Sequence, residues 1–200
     1  MYFLIKSCII YFQKDDIFLS IKEKSIGIIY NTATGSSRKR TILTPVIGGI
    51  FMIITSLFVI TPVLLDPVFN VPRLLNSPVN RILGLPVIFI GLFFMIWSNL
   101  YYIKFKGTPV PVNPPQKLIT SGPFAFSRNP MHGGMFLLMF GFGIYFSSML
   151  SVFIFTPLYI IIDVWFLRSI EEPELIKRLG NEYVEYRKKT PMFLGWRRKT

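Results

Sequence analysis

The feature that most constrains the fold of this chain is a run of 25 residues, 41–65, that contains no charged side chain. A second uncharged run covers residues 82–103, and a third extends over the 34 residues between Arg128 and Asp163. A helix needs about 20 apolar residues to cross a hydrocarbon core of about 30 Å. The first two runs are therefore predicted to be membrane-spanning helices.

The third run is too long for a single span, because as one helix it would measure about 51 Å. Residues 147–151, SSMLS, supply a polar turn at which the run can fold into a hairpin. Each arm of that hairpin is then only marginally long enough to cross the core. We therefore predict an all-α integral membrane protein with about four transmembrane helices.

The distribution of basic residues predicts the orientation in the membrane. The chain is 52% hydrophobic and carries a formal charge of +12, which is typical of a membrane protein with cationic loops. Lysine and arginine number seven in residues 1–40, two in 66–81, four in 104–128 and nine in 168–200, with none in the hairpin turn. By the positive-inside rule, we expect a multi-pass protein of the cell membrane with both termini in the cytoplasm.

Two classes of partner are not expected. The basic residues are scattered between apolar runs and show no nucleic-acid recognition motif. The chain has one histidine and one cysteine, too few for a structural zinc site, so no metal is expected. The expected partner is the lipid bilayer.

The chain is expected to divide into an N-terminal cytoplasmic or interfacial segment, residues 1–40, and a membrane domain, residues 41–200. The apolar start is too short to span a bilayer and is interrupted by Lys6, which leaves an interfacial helix or a disordered tail as alternatives. Residues 104–116, KFKGTPVPVNPPQ, contain four prolines, which exclude a regular helix and favour an extended connector. A new C-terminal helix, ELIKRLGNEYVEYRKK, is expected to open at Pro173.

Two polar stretches interrupt the apolar chain and are the candidate functional segments. The first polar island is residues 118–134, LITSGPFAFSRNPMHGG, in which glycines allow close backbone approach and Arg128 and Asn129 supply donors. The second polar island is residues 168–173, RSIEEP. We predict that the two islands close over one site for a small polar ligand at the membrane surface.

Arg168 and Glu172 are four positions apart, so in a continuous helix they would share one face, about 6 Å apart along the axis. Two simpler interpretations stay open. Glu171 and Glu172 can serve the N-terminus of the helix that opens at Pro173, where anions are favoured. Alternatively, Arg168 and Glu172 form a surface ion pair.

Two further residues have both a structural and a functional interpretation. Asp163 lies deep in an apolar segment, where an acid is costly and commonly functional, although it can also sit protonated or near the interface. His132 lies between a proline turn and two glycines, where a lone histidine is more often structural than catalytic.

The sequence GTPVPVNPPQKLITSGPFAFSRNPMHGG, a hydrophobic hairpin and then RSIEEPELIKRLGNEYVEYRKKTP resembles the isoprenylcysteine carboxyl methyltransferase and phospholipid methyltransferase superfamily. The pattern of that superfamily is roughly G-P-Y-x-Y-x-R-[HN]-P-x-Y-x-G, followed by R-x-x-x-E within E-E-x-x-L-x-x-x-F-G-x-x-Y-x-x-Y. The resemblance covers about residues 81–193. It implies a small integral membrane enzyme with a cytoplasmic loop that binds S-adenosyl-L-methionine.

The resemblance also implies the site residues. Arg168 and Glu172 would be catalytic, with Arg168 facing the methyl acceptor and Glu172 also completing the cofactor site. The remaining cofactor-binding positions would be Gln116, Lys117, Leu118, Ile119, Phe124, Asn129, Pro130, Met131 and His132. Phe124, Phe126 and His132 replace tyrosines of the pattern, and Met192 stands after Pro191 where an arginine is common.

The expected activity is methylation of a lipidic or prenylated acceptor, and the resemblance favours carboxylate O-methylation of the isoprenylcysteine type because Arg168 fits that position. The alternative within the superfamily is N-methylation of a phospholipid or another lipid amine. That reaction needs a base, for which His132, Glu171 and Asp163 are candidates. Outside the superfamily, the alternative is a small transport or scaffold protein in which Asp163 acts as a relay.

Overall fold

The computed structural model describes residues 19–193, and all regular elements in this part of the chain are helical. Residues 1–18 and 194–200, which include the apolar start of the chain and both termini, lie outside the described residues. The elements are α1 (residues 19–34), α2 (Ser37–Val68), α3 (Val79–Lys104), a 3-10 turn (Gly122–Ala125), α4 (Pro130–Tyr145), a π turn (Ser151–Phe155), α5 (Thr156–Phe166), a second π turn (Leu167–Glu171), α6 (Glu172–Leu179) and α7 (Asn181–Lys189).

Three helices are long and apolar enough to cross a membrane: α2, α3 and the helical segment Ser151–Leu179 that contains α5 and α6. Large apolar side chains stay exposed along them; Ile53, for example, is 62% exposed and Phe89 65%. The fourth expected span, α4, has 16 residues, which corresponds to about 24 Å and is shorter than the hydrocarbon core. The all-α membrane fold is confirmed, and α4 is the marginal arm that the sequence indicated.

The long helices alternate in direction, so one end of the bundle collects both polar islands. Asn80, at the start of α3, donates to the carbonyl of Tyr145 at the end of α4, which makes α3 and α4 antiparallel. The two helices approach closely at two glycines. A Cβ on Gly91 would lie 2.7 Å from the Gly134 carbonyl oxygen, and a Cβ on Gly134 would lie 2.7 Å from the Gly91 carbonyl oxygen. Small residues at such a crossing let membrane helices pack by backbone contact.

The hydrophobic core lies between α2, α4 and α5. Met135, Phe136 and Met139 of α4 pack there against Tyr159 of α5. The Tyr159 hydroxyl is 3.1 Å from that of Thr55 on α2, which gives two buried hydroxyls a common hydrogen bond. This pairing fixes α2 against α5 in a region where unpaired polar groups would be costly.

The predicted hairpin turn is confirmed at residues 146–148. Ser147 has a positive φ of 60°, and the amides of Ser147 and Ser148 bond back to the carbonyls of Ile144 and Gly143, which is the Schellman arrangement for ending a helix. Asp66 accepts from the amide of Leu150 and so caps the returning helix.

Several predicted boundaries differ from the structure. Helix α2 starts at Ser37, before the uncharged run, and continues to Val68, because charged residues are tolerated at the ends of a spanning helix. It crosses the expected division at residue 40, which stays a prediction. Residues 19–34 are helical, with Ala33 buried and its carbonyl accepting from Arg40.

The C-terminal part also differs. No separate helix opens at Pro173, since the chain stays helical from α5 through a π turn into α6. The predicted C-terminal helix is divided at Gly180, whose φ of 62° ends α6. The proline-rich connector lacks regular helix, as predicted, but it is not extended: Thr108 and Asn113 bond across it, so it folds back on itself.

Candidate functional site

The candidate site is a cleft at the end of the bundle where the two polar islands meet. Its walls come from three parts of the chain: Tyr102 of α3, the folded connector with the loop that follows it, and the π turn with α6 and α7. The connector contributes residues 108–111, 114 and 115, and the C-terminal helices contribute Glu171, Glu174, Leu175, Arg178, Tyr183 and Tyr186. The cleft therefore has apolar proline and aromatic walls with charged groups along one side.

An ion pair joins the two islands. Arg128 Nη1 lies 2.8 Å from Glu172 Oε1, and both side chains are almost buried, with exposed fractions of 11% and 12%. Arg187 of α7 approaches the other oxygen of Glu172 at 3.6 Å. The pair therefore holds the first island, the second island and α7 together.

The Arg128–Glu172 contact does not satisfy the polar atoms involved. Although Nη1 and Oε1 are close, they lack hydrogen-bond alignment, and Arg128 Nε is buried without a hydrogen bond to any residue that the structure describes. Buried donors and acceptors of charged groups are normally paired, because leaving them unpaired is costly. Since Arg128 also lines the cleft, these atoms are suited to a ligand that carries both an anionic group and hydrogen-bond donors.

The first island is held in place by the end of the described chain. The amides of Arg128 and Asn129 donate to the carbonyls of Pro191 and Met192 at 2.9 and 3.1 Å. Ser127 also donates to the Met192 carbonyl, at 3.1 Å. These bonds fix the backbone around Arg128 and so set the direction of its side chain.

Two tyrosines of α7 close the cleft from the other side. The hydroxyl of Tyr186 donates to the Phe124 carbonyl at 2.6 Å, and Tyr183 lies beside Arg128 and Glu172. Burial raises the pKa of both phenols, so they stay neutral donors at physiological pH. Gly122 begins the 3-10 turn with a φ of +62°, and a Cβ there would overlap the Tyr101 ring of α3, so this position requires glycine.

Helix α6 is attached to the connector by Arg178, which also forms an ion pair within the helix. Arg178 Nε lies 2.8 Å from Glu174 Oε1, and its Nη1 donates to the Pro115 carbonyl at 3.0 Å. Both side chains are nearly buried, with exposed fractions of 9% and 3%. The folded connector is thus a fixed wall of the cleft.

A further polar pair lies where α4 meets α5. His132 Nδ1 is 2.8 Å from Asp163 Oδ2, and Phe51 of α2 contacts the imidazole edge-on. Glu171, which lines the cleft, is close enough to interact electrostatically with both members of the pair. His132 and Asp163, for which the sequence allows both a structural and a functional interpretation, therefore lie together beside the candidate site.

The structure gathers many of the predicted site residues. Lys117, Leu118, Ile119, Phe124 and Asn129 line the cleft. Glu172 lies beside it, paired with Arg128. Four predicted positions are not part of its lining: exposed Gln116, buried Pro130, and partly buried Met131 and His132.

Arg168 is placed differently from the other predicted residues. It is exposed, it does not line the cleft, and it makes no ion pair within 4.0 Å to a carboxylate of the described residues. Glu172 instead pairs with Arg128 and Arg187, so the proposed surface pair of Arg168 with Glu172 is wrong. The π turn Leu167–Glu171 changes the helical repeat between them, so a spacing of four no longer fixes their relative direction.

Sequence reasoning did not assign roles to several residues of the cleft. Arg128, the arginine of the superfamily pattern, was noted only as a donor, and Glu174 and Arg178 were not singled out. Tyr183 and Tyr186 had a signal, since they are the two tyrosines at the end of the superfamily pattern. The roles of Glu174 and Arg178 depend on how the connector folds onto α6, which no local pattern predicts.

An all-α bundle of apolar helices with a charged cleft at one end defines an integral membrane protein with a site at its polar end. A sequence model of the phospholipid methyltransferase family matches residues 79–182, which is 104 of the 200 residues. The chain therefore belongs to this family, and the predicted superfamily is confirmed. No curated protein and no solved structure matches the chain significantly.

The matched residues run from the start of α3 to the start of α7 and include both polar islands. Family membership implies a membrane methyltransferase that acts on lipid substrates. The described residues contain no group of three or more metal-ligating side chains that could hold a metal ion. The family is generally dependent on S-adenosylmethionine, and Arg128 and Glu172 carry charges opposite to those of the carboxylate and ammonium groups of that molecule.

Proposed function

We propose that the protein transfers a methyl group from S-adenosylmethionine, bound in the cleft, to a lipid acceptor that reaches the site from the bilayer. The observation that carries this proposal is the buried Arg128–Glu172 ion pair at the edge of the cleft, in which Arg128 Nε, Arg128 Nη1 and Glu172 Oε1 make no aligned hydrogen bond to the residues that the structure describes. Arg128 is suited to the carboxylate of the methyl donor, and Glu172 to its ammonium or ribose hydroxyls.

The apolar walls of the cleft support the same proposal. Leu118, Ile119 and Phe124 line it on one side and the connector prolines on the other. The methyl donor supplies an activated methyl group on a sulfonium, so this chain has to align the two reactants and exclude water. A folded connector fixed by Arg178 and a loop fixed by Pro191 and Met192 provide that rigidity.

Two acceptor classes compete within this function. The sequence favoured a carboxylate of the isoprenylcysteine type, which arrives ionised and needs a cation such as Arg168 to orient it. We favour a lipid amine instead, because Arg168 lies outside the cleft while His132 and Asp163 form a partly buried pair beside it. An amine must lose a proton before it can attack, and this pair supplies a candidate base.

The site is proposed to face the cytoplasm of a cell membrane. The support is charge: the connector, the first island and the segment after Arg168 are the basic parts of the chain, and they all lie at the cleft end of the bundle. The hairpin turn at the opposite end contains no basic residue.

The test of cofactor binding is calorimetry with S-adenosylmethionine on the full chain in detergent. Glu172→Gln replaces a charge-assisted hydrogen bond by a neutral one, so the affinity should fall about tenfold, or about 1–2 kcal/mol. Exposed Glu182 offers a matched control, since Glu182→Gln removes the same charge away from the cleft and should bind normally. Equal affinities for wild type and Glu172→Gln would remove Glu172 from the site.

Identification of the product then completes the test. The full chain is incubated with methyl-labelled donor and vesicles that contain either an aminolipid, such as phosphatidylethanolamine, or a prenylcysteine. Label in the aminolipid supports the amine acceptor, and label in the prenylcysteine supports the carboxylate type. Binding of the donor without transfer to either acceptor would contradict both.

A further inference from the structure

The His132–Asp163 pair has an arrangement that simple packing does not require. Asp163 is the sole charged residue of α5, yet its side chain is 8% exposed, and its carboxylate contacts the imidazole at 2.8 Å. His132 retains an exposed fraction of 20%. An acid within a membrane helix is costly unless it is paired, and here the pairing partner is itself able to exchange a proton.

The contact fixes the role of each imidazole nitrogen. An ionised Asp163 can only accept, so Nδ1 of His132 carries a hydrogen, and in the neutral imidazole Nε2 then carries the free lone pair. Nε2 makes no hydrogen bond to any residue that the structure describes. The pair therefore presents an acceptor that is oriented, unoccupied by protein and partly accessible.

The surroundings stabilise a proton on that nitrogen. Glu171 of the second π turn is close enough to interact electrostatically with both His132 and Asp163, while from α2 the ring meets uncharged Phe51. Two carboxylates next to one imidazole favour its cationic form once a proton has been transferred. Glu171 also lines the cleft, which connects the pair with the place where the acceptor is proposed to bind.

We infer that Nε2 of His132, oriented by Asp163, accepts the proton that a lipid ammonium must lose before it is methylated. The inference rests on the proposed function, and in particular on an amine acceptor. His132 stands where the superfamily pattern has a tyrosine, so this role follows from the residues of this chain and its geometry.

The step balances as follows. The lipid ammonium transfers one proton to Nε2 and keeps the electron pair of the broken N–H bond. That pair forms the new N–C bond to the methyl group while the C–S bond breaks, and its electrons stay on sulfur as a neutral thioether. The methylated ammonium leaves, and imidazolium returns its proton to water, so each turnover releases one proton.

The experiment uses the full chain with phosphatidylethanolamine vesicles and methyl-labelled S-adenosylmethionine, and it measures initial rates from about pH 6 to about pH 10. His132→Gln should lower kcat near neutral pH on the order of 10²- to 10⁴-fold, with the affinity for the methyl donor unchanged. The remaining rate should rise about tenfold per pH unit, since it then depends on lipid amine that is already neutral. Glu182→Gln is the matched surface control.

Asp163→Asn separates a catalytic role from a packing role. Asparagine keeps the size of the side chain but can donate to Nδ1, which places the hydrogen on Nε2 and blocks it as an acceptor. This variant should lose activity near neutral pH while it still binds the methyl donor. If His132→Gln fails to fold, the activity of Asp163→Asn decides between a catalytic role and a packing role.

Three outcomes overturn the inference or its basis. If the pH profile of His132→Gln keeps the wild-type shape, whatever its rate, His132 does not accept the proton and acts only in packing. Normal activity in Asp163→Asn would remove Asp163 from the reaction. A wild-type protein that labels prenylcysteine and leaves aminolipid unlabelled would overturn the amine acceptor itself, whereas the first two results leave the methyltransferase function standing.

Discussion

Arg168 and Glu172 show how one turn of backbone decides the chemistry of a residue. Glu172 is buried between Arg128 and Arg187, whereas Arg168, four positions earlier, is exposed. The second π turn lies between them, and π turns recur at functional sites because they redirect side chains within a helix. The two residues are therefore expected to have different roles.

Arg168→Lys tests whether Arg168 binds the acceptor. With a carboxylate acceptor, the loss of the planar fork should reduce turnover about tenfold or more, because lysine keeps the charge but cannot bind bidentately. With the amine acceptor proposed here, turnover should stay within about twofold of wild type, since a surface lysine substitutes for a surface arginine at little cost. Methylation rates on phosphatidylethanolamine vesicles, with donor affinity as a control, distinguish the two results.

At the scale of elements, the crossing of α3 and α4 positions the first polar island, because α4 starts within it. Gly134 faces Gly91 across that crossing, while its neighbour Gly133 faces open space apart from the Phe193 ring, 4.0 Å from a Cβ built there. The adjacent glycines thus form a matched pair: one is needed for close packing and the other is not.

Gly134→Ala should lower the free energy of unfolding by about 1–3 kcal/mol, because its Cβ would lie 2.7 Å from the Gly91 carbonyl oxygen and the helices must separate. Gly133→Ala should be neutral or slightly stabilising, since alanine is the better helix former. Thermal unfolding of both variants in the same detergent gives the comparison. Equal midpoints would show that α3 and α4 do not pack through Gly134.

The elements also show which parts of the structure can be predicted from the sequence. The spans follow from runs without charge, and the hairpin turn follows from a serine cluster, since both signals are local. The π turn at residues 167–171 and the break at Gly180 were missed, because helical periodicity continues through the first and a single glycine does not by itself end a helix.

The candidate site was predictable in part for the same reason. Lys117, Leu118, Ile119, Phe124 and Asn129 belong to a local motif and line the cleft. The pairing of His132 with Asp163 spans 31 positions, and the contact of Arg178 with Pro115 spans 63. Such contacts depend on how helices pack and how the connector folds back, neither of which a local pattern contains.

At the scale of the whole molecule, the distribution of basic residues and the positions of the cleft and the hairpin turn predict the same orientation in the membrane. The cleft, the basic connector and the C-terminal helices lie at one end of the bundle, and the hairpin turn with the loop before α3 lies at the other, where Leu75 and Ser147 bond to each other. This arrangement is consistent with the proposed methyltransferase, which would take its soluble donor from the cytoplasm and its acceptor from the bilayer.

Cysteine labelling tests that polarity directly. In a chain with Cys8→Ser, exposed Asn76 at the hairpin end and exposed Lys189 at the end of α7 are replaced by cysteine one at a time. A membrane-impermeant maleimide applied to intact cells should label Asn76→Cys, and it should label Lys189→Cys only after permeabilisation, because the basic end is predicted to stay in the cytoplasm. Labelling of Lys189→Cys in intact cells would show the opposite topology, in which the cleft is separated from the cytoplasmic supply of methyl donor.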